Sequence, residues 1–127
     1  MKEYDRPIIM ATEELAEGVY AASGSNPISV SSVELISEGN QWNKVNTYKV
    51  TIRNSGSADL ADWIVSISVT SGTATNATVY NGWQASASLN GKKITITPGG
   101  GGVIEAGGAI DVEVVVTYDS DSVTVSK

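Results

Sequence analysis

The chain has 127 residues, of which 41% are hydrophobic and 17% charged, so it is long enough for one domain with its own core. It contains no Cys and no His, which excludes disulfides, thiolate nucleophiles, and the commonest general base and transition-metal ligand. The net charge of -6 at pH 7 argues against nucleic-acid binding, because phosphate backbones are bound by clustered Lys and Arg.

The first 27 residues differ in pattern from the rest and predict an N-terminal arm or linker, whereas residues 28–127 predict a β-domain. Small residues from 21 to 27 read as a linker. Residues 7–11, Pro-Ile-Ile-Met-Ala, form an apolar segment suited to adding a strand to a sheet edge, in its own domain or in a neighbouring copy. No apolar run has the length of a membrane span or of a signal peptide.

Beyond residue 27 the pattern is strand, turn, strand, with no helical periodicity. Apolar and polar residues alternate most clearly in 48–53, 63–70 and 110–118, as in half-buried strands. Asn90-Gly91 is the strongest hairpin signal. About seven to nine short strands are expected. The chain is therefore predicted to be an all-β, antiparallel β-sandwich of immunoglobulin-like or jelly-roll-like type.

Nothing in the sequence indicates catalysis. The carboxylates between residues 59 and 121 lie in turns or on polar strand faces, and no pair stands in a recognisable acid–base context. We therefore predict no enzyme activity, no catalytic residue, no metal site and no cofactor. Asp119-Ser120-Asp121 is interpreted as a polar turn rather than a calcium site. Gly99–Gly102 is interpreted as a flexible hairpin connection, since a phosphate-binding loop would need a Lys and a following helix.

The three tryptophans fall into two kinds. Trp63 opens the alternating segment 63–70 on its apolar face, which predicts a core residue. Trp42 and Trp83 are flanked by Asn, Gln or Gly outside any apolar alternation. Two interpretations of this pair stay open, half-buried caps on the core or exposed rings. Exposed rings would offer flat faces on which sugar rings stack, and an open surface of that kind suits a polymer better than a small ligand.

Several segments carry a resemblance to a known family. They are, in chain order, Gly39-Asn40-Gln41-Trp42-Asn43, Tyr48–Ala58, Asp62-Trp63-Ile64-Val65, Gly82-Trp83-Gln84-Ala85, Ile94-Thr95-Ile96 and Ile104–Gly108. In this order and spacing they resemble the family 2 carbohydrate-binding modules, the bacterial cellulose-binding domains, over about residues 28–118. The resemblance implies a β-sandwich that binds cellulose or a related β-glucan without catalysis.

The resemblance also implies roles for particular residues. Trp42 and Trp83 would be surface residues that bind carbohydrate, and Trp63 would be structural. The polar neighbours of the two surface rings would be the hydrogen-bond partners of sugar hydroxyls: Asn40, Gln41, Asn81 and Gln84. The chain departs from the family pattern in two places. A third surface tryptophan is missing where the chain has Gly99–Gly102, and the common terminal disulfide is absent.

The main prediction is a carbohydrate-binding module whose partner is a polysaccharide and whose localisation is extracellular or at the cell surface. The alternative is a secreted or cell-surface structural subunit, fibre or pilin-like, that self-associates through residues 7–11. The distinct arm and the Thr/Val-rich strands favour this alternative.

Overall fold

The computed structural model describes residues 27–127. These residues form eight β-strands: β1 (Ile28–Ser37), β2 (Val45–Asn54), β3 (Val65–Ser71), β4 (Ala74–Val79), β5 (Ala85–Asn90), β6 (Lys93–Pro98), β7 (Ala109–Tyr118) and β8 (Thr124–Ser126). They pair into two four-stranded sheets with the orders β1-β2-β7-β4 and β5-β6-β3-β8. Every pairing is antiparallel, so the predicted antiparallel β-sandwich is confirmed.

The core lies between the inner faces of the two sheets and is made largely of β-branched aliphatic residues. Val50 pairs with Val112 in the first sheet, and Ile67 pairs with Ile94 in the second. All four are 0–1% exposed, and they belong to one continuous buried cluster. Val and Ile fit the pleated surface of a strand, where their stiff side chains interdigitate across the sandwich. Because alternate side chains of a strand face the core, this burial accounts for the period-2 alternation in the sequence.

Leu35 pairs with the buried Tyr48 and so lies on the inner face of the first sheet, but it is 46% exposed because β1 is an edge strand. One local feature, the position of the hairpin turn, differs from the sequence prediction. The predicted hairpin forms, but Asn90 pairs with Lys93, so its two connecting residues begin at Gly91, whose φ is +65°.

The N-terminal predictions concern residues outside those described. The division into an arm of residues 1–27 and a sandwich of residues 28–127 stays a prediction, as does self-association through residues 7–11. Among residues 27–127 no helix is long and apolar enough to cross a membrane.

A buried amide fixes the end of β2. The side chain of Asn54 is 0% exposed, and its Nδ2 donates to the carbonyls of Ala58 (2.8 Å) and Ile104 (3.0 Å). Its Oδ1 accepts the N–H of Gly56 (2.9 Å). The amide thereby pairs with two backbone groups of the turn after β2 and with the carbonyl of Ile104, so the polar atoms of this buried side chain are all hydrogen-bonded.

Replacing Asn54→Leu keeps the number and branching of the side-chain heavy atoms and removes all three hydrogen bonds. We expect the free energy of unfolding to fall by about 3 kcal/mol, because the Gly56 N–H and the Ala58 carbonyl lose the amide as a partner, while the Ile104 carbonyl keeps the Leu60 N–H. Urea unfolding measures the change. The matched control is Asn76→Ala on the exposed face of β4, which should change stability by less than about 0.5 kcal/mol. Equal stability of Asn54→Leu and the wild type would contradict this role of the amide.

Candidate functional site

The aromatic side chains of the described residues are either buried or strongly exposed. Tyr48, Trp63 and Tyr118 are 3–5% exposed and belong to the core. Trp42, Tyr80 and Trp83 are exposed to 87%, 80% and 70%. Trp63 as a core residue is therefore confirmed. Trp42 and Trp83 do not cap the core, since most of each ring faces solvent.

Trp42 and Trp83 follow the same local motif. In each turn the backbone N–H of the tryptophan donates to Oδ1 of the Asn two residues earlier. The distance is 2.8 Å from Trp42 to Asn40 and 3.2 Å from Trp83 to Asn81. This is an Asx turn, in which the side chain replaces a backbone carbonyl and fixes the following residues. Asn40 also accepts the N–H of Asn43 at 3.0 Å. Both Asn residues therefore act on the backbone conformation of the tryptophan turns.

Backbone hydrogen bonds and close packing around Gly39 fix the shape of the Trp42 turn. Asn40 and Asn43 exchange N–H···O bonds of 3.0 and 3.1 Å. Gly39, just before the turn, has no room for a side chain, because a Cβ there would lie 2.5 Å from the carbonyl oxygen of Asn43. The N–H of Gly39 donates to Oδ1 of Asn46 at 2.8 Å. The exposed ring is thus carried by a turn with a fixed shape.

Asn46 joins this turn to the interior. It is 3% exposed, and its Nδ2 donates to Oη of Tyr48 (3.0 Å) and to the carbonyl of Val123 (3.4 Å). The Tyr48 hydroxyl donates to the same carbonyl at 3.2 Å. Burial raises the pKa of Tyr48, and this outweighs the opposing hydrogen bond from Asn46, which lowers it.

Trp83 lies against the glycine run. A Cβ added at Gly100 would lie 2.5 Å from Cζ3 of the Trp83 ring, and one added at Gly101 would overlap the pyrrole side of the same ring. The backbone is tied in place as well, since the N–H of Gly101 donates to the Trp83 carbonyl at 2.9 Å. Trp63 donates from Nε1 to the carbonyl of Gly102 at 2.7 Å. The run is therefore the support of Trp83 rather than a simple connection.

The two tryptophan turns belong to different connections. Trp42 lies between β1 and β2, and Trp83 lies between β4 and β5. On the first sheet these connections adjoin Val45, three residues after Trp42, and Val79, four residues before Trp83; the two lie on strands two apart and pair with Thr117 and Val114 of β7. The backbones of Val45 and Val79 are therefore offset by about 10 Å along the strands and about 10 Å across the sheet, which gives a distance of about 14 Å between them.

The remaining predicted residues flank the two rings. Gln41 is exposed beside Trp42, and Gln84 is half-buried beside Trp83. The backbone of Gln84 closes the second turn, with its N–H on the Asn81 carbonyl and its carbonyl accepting the N–H of Gly99. The contact of these side chains, and of the two Asn side chains, with a ligand stays a prediction.

Tyr80 was missed in the sequence prediction. It follows β4, and its N–H donates to the carbonyl of Glu113 at 2.9 Å, which continues the pairing with β7 by one residue. Its side chain faces outward, as do those of Thr78 and Glu113. The available signal was its position three residues before Trp83, in one short turn.

Neither a metal-binding cluster nor the polar turn at residues 119–121 adds to this site in the part of the chain that the structure describes. Among residues 27–127 there is no group of three or more His, Cys, Asp or Glu side chains that could hold a metal ion. In the predicted polar turn, the Ser120 hydroxyl accepts the N–H of Thr73 at 2.9 Å and donates to the Ser122 carbonyl at 2.7 Å. The site therefore consists of exposed aromatic faces with amide neighbours.

Comparison with known families matches this chain to the family described as cellulose binding domain, over residues 32–127, about three quarters of the chain. The matched region includes both tryptophan turns, Tyr80 and the glycine run. No curated protein matches the chain.

The buried phenol of Tyr48 predicts a loss of stability at high pH. Because burial raises its pKa, the folded protein keeps the proton where the unfolded chain, with a tyrosine pKa of about 10, releases it. This contribution to stability is intact below about pH 10 and is lost as the pH rises towards the folded-state pKa. Urea unfolding between about pH 9 and 11.5 measures it. In Tyr48→Phe this part of the pH dependence should disappear; an unchanged slope would refute the assignment.

Proposed function

The chain belongs to the cellulose binding domain family, and from that premise we propose that it is a non-catalytic module that binds cellulose or a related β-glucan through Trp42 and Trp83. The observation that carries the site assignment is the pair of tryptophan rings, 87% and 70% exposed on turns fixed by hydrogen bonds. Exposing a large apolar area to water is unfavourable in free energy, and covering that area with a ligand is correspondingly favourable.

The proposed binding is stacking on an open surface. The C–H groups of a pyranose ring lie against the indole face, which provides a large contact area with little loss of side-chain entropy. Asn40 and Asn81 use Oδ1 to hold the turns, which leaves their Nδ2 groups to donate to hydroxyls. Gln41 and Gln84 supply further amides beside the rings.

Tyr80 extends the proposed surface. Its ring is 80% exposed and lies in the same short turn as Trp83. A tyrosine face stacks in the same manner as tryptophan, and its hydroxyl adds a donor and an acceptor for sugar hydroxyls. The proposed site therefore has three rings, two of them in the β4–β5 connection.

The proposed function needs no catalytic group, metal or cofactor, since stacking and hydrogen bonding supply the affinity. Cellulose is an insoluble polymer that a protein meets outside the cytoplasm. We therefore place the module's action in the extracellular space or at the cell surface, in agreement with the sequence prediction.

Removing either tryptophan ring should weaken binding. Trp42→Ala and Trp83→Ala should each lower affinity for insoluble cellulose by about 5- to 150-fold, if each ring contributes the 1–3 kcal/mol typical of aromatic stacking on nucleic-acid bases. Depletion isotherms on microcrystalline cellulose measure the change, and affinity gels with soluble β-glucans extend it to other ligands.

The control for this experiment is Ile64→Ala, which removes an exposed apolar side chain (60% exposed) that belongs to neither tryptophan turn and lies beside Ile28 and Val30. Its binding should equal that of the wild type. If the variant lacking both rings binds as tightly as the wild type, the site assignment is wrong. If the wild type binds no glycan, the proposed function is wrong.

Tyr80 has its own prediction. Tyr80→Ala should lower the affinity for cellulose by at least about 5-fold, the lower end of the stacking range, whereas Tyr80→Phe should keep most of it because the ring remains. The same depletion isotherms measure both. Thr78→Ala, on the same outer face of β4, is the neighbouring control. Identical binding of Tyr80→Ala and the wild type would remove Tyr80 from the site.

A further inference from the structure

The glycine run Gly99–Gly102 contains two positions at which only hydrogen fits beneath Trp83. At Gly100 a Cβ would lie 2.5 Å from Cζ3 and 2.7 Å from Cη2, on the six-membered ring of the indole. At Gly101 it would overlap Nε1 and Cδ1, on the five-membered ring. The two glycines therefore underlie both halves of the same ring.

Backbone conformation does not explain these glycines. The described glycines with positive φ are Gly72, Gly91 and Gly107, so Gly100 and Gly101 have backbone angles that other residues adopt. What excludes a side chain at Gly100 and Gly101 is the Trp83 ring, whose atoms are the nearest neighbours of both positions. The requirement is one of close approach between a backbone and an aromatic face.

The supporting loop is itself fixed from two sides. The N–H of Gly101 donates to the carbonyl of Trp83, and the N–H of Gly99 donates to that of Gln84, both at 2.9 Å. From the core, Nε1 of Trp63 donates to the carbonyl of Gly102 at 2.7 Å. The loop cannot move away from the ring without breaking these bonds.

We propose that Gly100 and Gly101 are positioning residues for Trp83, holding the ring flat with one face on the backbone and the other face open to carbohydrate. This inference rests on the proposed function and deepens it. A ring already held in one orientation loses little rotamer freedom when a ligand binds. A Cβ at either position lifts or turns the ring, so the open face no longer has a fixed direction.

The test compares Gly100→Ala and Gly101→Ala with Gly82→Ala. Gly82 directly precedes Trp83, has no atom within 4 Å of an added Cβ and has no positive φ, so it is a matched control. The first two variants should bind cellulose about 2- to 13-fold more weakly, the range expected for losing the order of one side chain, and Gly82→Ala should bind as the wild type does. Wild-type affinity in both Gly100→Ala and Gly101→Ala would overturn the proposal.

A double-mutant cycle separates positioning from general damage to the loop. In a Trp83→Ala background there is no ring to displace, so Gly100→Ala and Gly101→Ala should cause no further loss of affinity. Any loss of unfolding free energy caused by the alanines should likewise shrink in that background, which keeps the test decisive even if a single variant folds poorly. Full losses that persist without Trp83 would overturn the proposal.

A third measurement needs no glycan and therefore distinguishes the failure of this inference from the failure of the proposed function. In a Trp42→Ala background, Trp83 is the exposed tryptophan and Trp63 is buried. Acrylamide quenching of tryptophan fluorescence should increase in Gly100→Ala and Gly101→Ala, because the covered face of Trp83 is freed, and stay unchanged in Gly82→Ala. Unchanged quenching in all three would overturn the positioning role. If Trp83→Ala leaves cellulose binding intact, the site assignment fails, and the quenching result still decides this inference.

Discussion

The hydrogen bond from the Trp63 indole to the Gly102 carbonyl, 2.7 Å long, links the interior of the sandwich to its proposed binding surface. A buried indole N–H needs an acceptor, and here the acceptor is the backbone of the glycine run. The run in turn lies beneath Trp83. One tryptophan in the core thus determines the position of the loop on which another, exposed tryptophan rests.

A similar dependence holds at the other turn. There the buried Asn46 amide accepts the N–H of Gly39 and donates to Tyr48 and to the Val123 carbonyl. Two of the interior polar groups, the Trp63 indole N–H and the Asn46 amide, therefore hold the backbone next to the exposed rings. A surface that binds without an enclosing pocket depends on such support, since nothing else holds its side chains in register with a ligand.

Local pattern was enough to predict part of this arrangement. Alternation identified the strands and the burial of Trp63, because strand burial has a period of two residues. It could not show that Gly100 supports Trp83, since this contact joins two loops 17 residues apart and exists only once the sheets have packed. For that reason the sequence alone predicts only a flexible connection at the glycine run. Tyr80 was missed because its side chain simply continues the outward face of β4.

The covered face of Trp83 constrains the form of the ligand. A ring with one face on the backbone can be approached from a single side, so it stacks on an accessible surface and cannot be enclosed between two sugars. The strand residues that adjoin the two turns on the first sheet, Val45 and Val79, lie about 14 Å apart. In the proposed function, a ligand spanning both rings binds the second one intramolecularly, at a high effective concentration. An extended chain gains this advantage and a monosaccharide does not, which favours a polymer as the partner of this surface.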